Sequence, residues 1–389
     1  MFNKTVTKPS IEKPNSENFQ VHTAVHIWEK NEIYKLRYQV YVEEMGKAAN
    51  HAKGNQLYDE LDDRSLLLYV QTGETILATA RLTIATAAEY SKELADIFQL
   101  HTFQAGFNDP NLLYGLCTKL AVKKEYRNST ALYLILSEVY KILADQNIRF
   151  WFGGCNPYLV PLYERLGFRR FAPNFSDEGY GLLVPIILLV DDTEYLRMVR
   201  SPLYRQARTR KANPETARKF TELFPATRKV LNSRLTRPHD LWTFLTEKLG
   251  KPLTSIPAFQ HISQADTMAL LESSAVFSCK ASDCLIEENT ACHDLYIILS
   301  GQLATQSANP KLILQAGEVF GGITPQIKRL PSDSIIALED SDLLVLPQQS
   351  LERYYYPLQE AAATMTDNLL NQQEKTPQIS SSKGENRHA

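Results

Sequence analysis

Arg37, Tyr41, Asp59, Asp62 and Arg81 lie within LRYQVYVEE, LYDELDDRSLLLYV and ATARL. Two acids beside two arginines could hold a zwitterion: carboxylates take an ammonium, and a planar guanidinium takes a carboxylate through a forked contact. Any one of these residues could instead be half of a structural ion pair, the commoner fate of such side chains. It is the whole set, in one order, that points to binding chemistry. Other chemistries find less support. Of the eight histidines only His22 and His26 stand at HxxxH spacing, and the five cysteines (Cys117, Cys155, Cys279, Cys284, Cys292) form no CxxC pair. They read as reduced thiols of a cytoplasmic protein, with no metal site. With 42 basic against 44 acidic residues, nothing in the net charge asks for nucleic acid.

The elements that must position these residues can be read from periodicity. LLLYVQTG and TILATARLTIA predict two strands over 66–85 around a turn in which Gly73 takes a positive φ. KLAV (119–122) predicts a short strand and TALYLILSEVYKILADQ (130–146) an amphipathic helix. RFWFGGC predicts a further strand, PYLVPLYERLGF a short helix stopped at Gly167, and LLVPIILLV (182–190) a buried strand too short to span a membrane. From Arg197 to Arg237 there are twelve Lys or Arg and only two acids, Glu215 and Glu222. This stretch reads as a solvated helical connector in preference to a nucleic-acid surface. Beyond residue 251, AVFSC, CLIEE, DLYIILSGQL, LILQAG, SIIALED and DLLVLP recur between turn residues, as in a small all-β roll.

The segment NPYLVPLYERLGFRRF (156–171) resembles the closing strand, helix and strand of the GCN5-related N-acetyltransferase (GNAT) superfamily, with Asn156, Tyr163, Gly167 and Phe168 on its pattern. The resemblance implies that Tyr163 protonates a departing thiolate. KLAVKKEYRNSTALYLILSEV resembles the superfamily's cradle for the pantetheine and pyrophosphate of an acyl thioester, which implies donor contacts at Val122, Arg127, Asn128, Ser129, Thr130, Ala131 and Asn156. Arg127 is retained, but side chains replace the glycines of that turn, which favours a pantetheine arm delivered by an acyl carrier protein over coenzyme A. The ordered set Arg37, Tyr41, Asp59, Asp62 and Arg81 is similar to that of one branch, the acyl-homoserine-lactone synthases and N-acyl amino acid synthases. In that branch these residues shape the site of the acceptor amine. Two positions depart: a Glu and an Arg of the branch read Leu116 and Lys119 here. The Glu is the branch's proposed base, so Glu60, or Asp62 through water, stands in for it in this reading, and Lys119 keeps the charge of the Arg without its fork.

Residues 256–303 and AGEVFG (316–321) resemble a cyclic-nucleotide-binding domain, including a D-x-L-x-x-E turn from Asp283 to Glu288. The resemblance places a ligand pocket at Phe320, Gly321, Gly322, Arg329, Ser332 and Ser334. The acid expected after Phe320-Gly321 is Gly322, and the arginine expected after Pro331 is Ser332. Loss of a charge-assisted phosphate contact costs about 2–3 kcal/mol, or tens- to hundreds-fold in affinity, so cAMP is not expected to bind in the usual way.

The fold class expected is α+β: a polar arm (1–22), a GNAT-like N-acyltransferase domain (23–196), a basic helical connector (197–250), a cyclic-nucleotide-binding-like roll (251–370) and a polar tail (371–389). The expected reaction moves a fatty acyl group from an acyl carrier protein or coenzyme A thioester to the amine of an amino acid or related small molecule. Two alternatives stay open, a catalytically silent acyl- or ligand-binding regulator and a protein-lysine acetyltransferase gated by cyclic nucleotide. A homodimer is compatible with each.

Overall fold

The computed structural model of the chain describes residues 18–47, 52–177, 180–232, 234–272, 274–288, 294–307, 311–321 and 333–347. Its contacts divide into two compact units: Met1–Cys155 with Arg165–Tyr180 and Val184–Val230, and Asn156–Glu164 with Gly181–Leu183 and Leu231–Ala389. Most of the arm and all of the tail expected from composition lie outside the described residues.

The first unit is built on one mixed sheet. In chain order come β1 (Gln20–Thr23), α1 (Ile27–Tyr38), β2 (Leu66–Thr72), β3 (Thr75–Thr86), α2 (Lys92–Ile97), α3 (Leu100–Phe107), β4 (Leu113–Val122), α4 (Ala131–Asp145), β5 (Phe150–Cys155) and α5 (Val160–Leu166). There follow β6 (Arg169–Arg170), β7 (Phe175–Asp177), β8 (Gly181–Leu189), α6 (Thr193–Met198), α7 (Tyr204–Ala207) and α8 (Pro214–Leu223). The strands lie in the order β1-β2-β3-β4-β5-β8-β6, with β7 on β8. Only β4 and β5 run parallel along this path. Strand β1 falls inside the stretch read as a polar arm; QVHT offers a single aliphatic residue, and its pairing with β2 is what makes it a strand. The hairpin between β2 and β3 closes through Gly73 at φ +55, where a Cβ would meet nothing within 4 Å, so backbone sign alone favours glycine there.

Helix α4 buries Ala131, Ile135, Leu136, Val139, Tyr140 and Leu143, the apolar stripe of its 3.6-residue period. Around Phe103 of α3 gather Phe150 and Phe152 of β5, Phe171, and Phe220 and Phe224 from α8 and its end. The basic stretch is therefore not one connector: its first part packs into the aromatic core of this unit, while α9 (Pro238–Leu249) belongs to the other. Among its charges, Arg197 forms a surface ion pair with Glu194, Arg210 with Asp145, and Arg218 with both Glu215 and Glu222. Helical periodicity marks the stretch as helical, but places neither α8 nor the phenylalanine cluster that α8 completes.

The second unit holds α9, α10 (Gln264–Leu271) and β9 (Ala275–Cys279), β10 (Cys284–Ile286), β11 (Asp294–Ser300), β12 (Leu303–Thr305), β13 (Ile313–Leu314), β14 (Val319–Gly321), β15 (Ile335–Ala337) and β16 (Ser341–Pro347). They form two antiparallel four-stranded sheets, β10-β15-β12-β13 and β14-β11-β16-β9. Leu241, Leu245 and Leu249 of α9, at helical spacing, share a core with Phe259, Ile297 and Leu344. No helix among the described residues is long and apolar enough to cross a membrane.

Candidate functional site

Helix α1 begins at a capping box: a Glu29 carboxylate oxygen accepts from the His26 and Val25 amides at 2.7 and 2.6 Å. The other oxygen accepts from the Tyr69 hydroxyl at 2.7 Å, which ties the helix to β2. At its far end α1 carries Arg37 and then widens into a π-helical turn, Gln39–Glu44, that sends Tyr41 toward β4; the Tyr41 hydroxyl donates to the Leu120 carbonyl at 2.6 Å. Asp59 caps the short 3₁₀ turn Glu60–Arg64, accepting from the Leu61 amide at 3.0 Å, and its own amide donates to Asp62 at 2.9 Å. The local DELDD sequence thus orients both carboxylates before any tertiary contact is made.

Arg81 stands on β3 opposite Thr118 of β4. Between Thr79↔Ala121 and Arg81↔Thr118 the register slips, so that Lys119 and Leu120 oppose a single β3 residue. Lys119 takes φ +53 at this bulge. Successive side chains of a strand face opposite ways, and the bulge breaks that alternation. Thr118 accepts from Arg81 Nε at 2.9 Å, and Lys119 Nζ reaches Asp59 at 3.5 Å, both on one face.

Five side chains form one ion-paired set. Arg37 Nη1 donates to Asp62 at 2.8 Å; Arg81 Nη1 contacts Asp59 and lies 3.4 Å from Asp62. Arg37, Arg81 and Lys119 thus surround the Asp59 and Asp62 carboxylates. Arg37 is fully buried, and its Nε and Nη2 have no hydrogen-bond partner among the described residues. Burial pushes the Asp59 carboxyl up, but Arg81 and Lys119 outweigh it and hold the group below the usual carboxylate range. A depressed folded value means that Asp59 stabilises the fold above its unfolded pKa and loses that contribution as the pH falls through the folded one. Asp59→Asn is therefore expected to flatten the acid limb of stability measured by urea unfolding from pH 7 downward; an unchanged limb would show that the carboxylate contributes nothing there.

The remaining sequence candidates are placed as follows. Glu60 is exposed, and Asp62 is buried with both oxygens engaged. Arg127 makes a forked pair with Glu44 at 2.6 and 2.7 Å and donates to the Val122 carbonyl at 3.2 Å. Asn128 takes φ +68, and the Ser129 hydroxyl accepts from the Ala131 amide at 3.2 Å, just after Thr130 at the head of α4. Pairing of β4 with β5 ends at Leu116↔Phe152, although β4 continues to Val122 and β5 to Cys155. Past that vertex the two strands no longer pair, and among the described residues no other strand takes that side of β4. Asn156 donates to the Leu182 carbonyl at 3.2 Å, and Tyr163 lies on α5; both fall in the 156–164 segment grouped with the second unit. Burial pushes the Cys117 thiol up to about 12, so it is no thiolate nucleophile near neutrality.

Tyr180 is a member that no motif marked. Its hydroxyl accepts from Lys119 Nζ at 2.8 Å, its ring lies 4.6 Å from that ammonium, and it meets Tyr41 edge-on at 4.9 Å. It lies between β7 and β8, and the shared neighbourhood of Lys119 and Tyr41 reveals it.

In the second unit, Phe320 is buried and stacks on Tyr296 at 5.1 Å. Gly321 has φ +111, and a Cβ there would lie 2.2 Å from the Asp294 carbonyl oxygen, so the close approach of β14 to β11 requires glycine. The Ser334 hydroxyl accepts from the Glu288 amide at 3.0 Å. Gly322, Arg329 and Ser332 lie outside the described residues. Among the described residues no group of three His, Cys, Asp or Glu could hold a metal ion.

Residues 32–190 match the family model described as N-acyl amino acid synthase FeeM, and residues 276–355 match that of the cyclic nucleotide-binding domain. No curated protein matches the chain. Among solved structures, FeeM, an N-acyl amino acid synthase from uncultured soil microbes, is 14% identical, covering 48% of this chain and 97% of its own, with a TM-score of 0.38. TofI, solved in a ternary complex with an inhibitor and MTA, is 17% identical over 46% of this chain and 95% of its own, at 0.35. A cyclic nucleotide-binding domain from Methylobacillus flagellatus is 19% identical over 34% of this chain and 78% of its own, at 0.30. The chain thus joins a domain that matches the N-acyl amino acid synthase model to one that matches the cyclic nucleotide-binding model.

Proposed function

We propose that the acyltransferase domain moves a fatty acyl group from a thioester, on acyl carrier protein or coenzyme A, to the amine of an amino acid or a related small acid. The observation that carries this reading is Arg37: a fully buried guanidinium whose Nε and Nη2 have no hydrogen-bond partner among the described residues. A buried donor without an acceptor costs about 1–3 kcal/mol, and an acceptor carboxylate supplies both the hydrogen bonds and the charge. The thioester takes the stretch past the pairing of β4 with β5, where a backbone N–H near Val122 faces the developing oxyanion. Arg127 and residues 128–131 hold the pantetheine arm. Tyr163 is the acid for the departing thiolate, a role that rests on its motif. The second unit is the regulator of the first, by a ligand other than cAMP bound in the usual way.

Mass spectrometry of lipid extracts from a host overproducing the full chain, beside an Arg81→Ala control, tests the reading. New N-acylated amino acids absent from the control are expected, and their mass names the acceptor. Without new species, the acyl-transfer reading fails in favour of a binding regulator. With an active chain, Tyr163→Phe is expected to lower turnover by about 10²-fold or more, the scale of general acid catalysis; unchanged turnover would remove Tyr163 from the mechanism.

A further inference from the structure

On the acyl-transfer reading above, we propose that Lys119 accepts the proton of the attacking amine, with Tyr180 and Asp59 as its positioning residues. The chemistry needs a base, and the carboxylates of the set are poorly suited. Asp62 is buried with both oxygens occupied, Asp59 is held in its ionised form by Arg81, and Glu60 is exposed. Lys119 is the one amine of the ion-paired set, and an amine can shed its proton where a guanidinium stays charged.

Its placement is unusual for a lysine in a strand. The bulge holds the residue at φ +53, a conformation that disfavours any side chain but persists where surrounding structure imposes it. The result puts Nζ among Asp59, the Tyr180 hydroxyl and the Tyr180 ring, at 3.5, 2.8 and 4.6 Å. Tyr180 is in turn fixed by Lys47, which donates to its carbonyl at 3.0 Å, by its amide bond to Asp177 at 3.0 Å, and by Tyr41. The charges acting on Nζ come from Asp59, Arg81 on β3, Arg37 on α1 and Asp177 on β7. Burial and the two guanidinium groups lower the lysine's pKa, and the two carboxylates do not restore it. Burial first, then Tyr41 and Asp177, raises that of Tyr180, which stays a neutral hydroxyl.

The step balances without a co-reactant. A neutral amine attacks the thioester carbonyl, and neutral Nζ takes the proton the nitrogen sheds as the N–C bond forms. The C–S bond then breaks, its electron pair goes to sulfur, Tyr163 gives the thiolate its proton, and the proton held on Nζ passes through solvent to the Tyr163 phenolate. Amide and thiol are the products, and Lys119 ends as it began.

Two measurements on the full chain test this. With lysines labelled with ¹³C at the ε carbon, NMR titration is expected to show one resonance, lost in Lys119→Arg, that deprotonates below the other lysines and shifts in Tyr180→Phe. Titration together with the other lysines would overturn the proposal. With a decanoyl-pantetheine thioester and the acceptor amino acid, kcat/KM is expected to rise with pH along that same ionisation. Lys119→Arg keeps the charge, and should lose the limb and about 10²- to 10⁴-fold in rate; Lys119→Met guards against a misfit of the larger side chain. Wild-type rate and limb in Lys119→Arg would leave acyl transfer intact and remove Lys119 as base. A wild-type chain that forms no amide with any amino acid would overturn the acyl-transfer reading itself.

Discussion

Asp62→Ala is expected to cost the first unit about 3–5 kcal/mol, because it breaks a buried pair by removing one partner. The carboxylate is 1% exposed, while Arg37, which it pairs at 2.8 Å, is not exposed at all. Its removal leaves Arg37 as a buried cation with no ion-pair partner, and takes from the Asp59 amide the acceptor that closes the capping box. Asp59, at 18% exposure and closer to water, should cost less when truncated. Because the chain holds two compact units, a single unfolding transition cannot be assumed. Fluorescence of Trp151, with Trp28 and Trp242 replaced by phenylalanine, reports on the unit that contains Asp62. A loss below about 1 kcal/mol would mean that the set behaves like a surface ion pair. The double change Arg37→Met with Asp62→Leu should recover part of the loss, since apolar replacement of both partners avoids the unpaired charge.

Much of this set was legible because its members lie on elements whose local chemistry is strong. Asp59 and Asp62 sit in a DELDD turn that caps itself, Arg81 on a strand with clear β propensity, and Arg37 on a capped helix. The structure brings these four together with Lys119, and sets Tyr41 against the bulge. The antiparallel roll was legible for a similar reason, as short apolar runs between turn residues. Less could be read where tertiary packing overrides pattern. A strand was expected only over 119–122, whereas β4 runs from Leu113 to Val122 and turns through a left-handed Lys119, a conformation that sequence does not favour. Tyr180 lies in no periodic element. The basic stretch reads as one solvated run because charge dominates its composition, yet Phe220 and Phe224 decide where its first half packs.

The same contrast governs Leu116, where the resemblance drawn from the sequence expects a glutamate. Restoring the acid, Leu116→Glu, is expected to destabilise the unit by about 3–4 kcal/mol at neutral pH, as a shift of about 2 pKa units or more implies. Leu116 is buried among Tyr90, Leu94, Phe98, Leu100, Tyr114 and Phe152, which offer a carboxylate no cation. Burial would raise the new carboxyl's pKa, so the penalty should be small below the ordinary glutamate range and grow as pH rises through it toward the folded value. Urea unfolding at pH 5 and pH 8 separates this from a steric cost, which would be equal at both; Leu116→Gln isolates the cost of a polar group alone. No gain in acyl transfer is expected, since a base must be ionised and reach the amine. A variant as stable as the parent at pH 8 and faster in amide formation would place residue 116 in contact with the acceptor. It would also return the role of base from Lys119 to this vertex of β4 and β5.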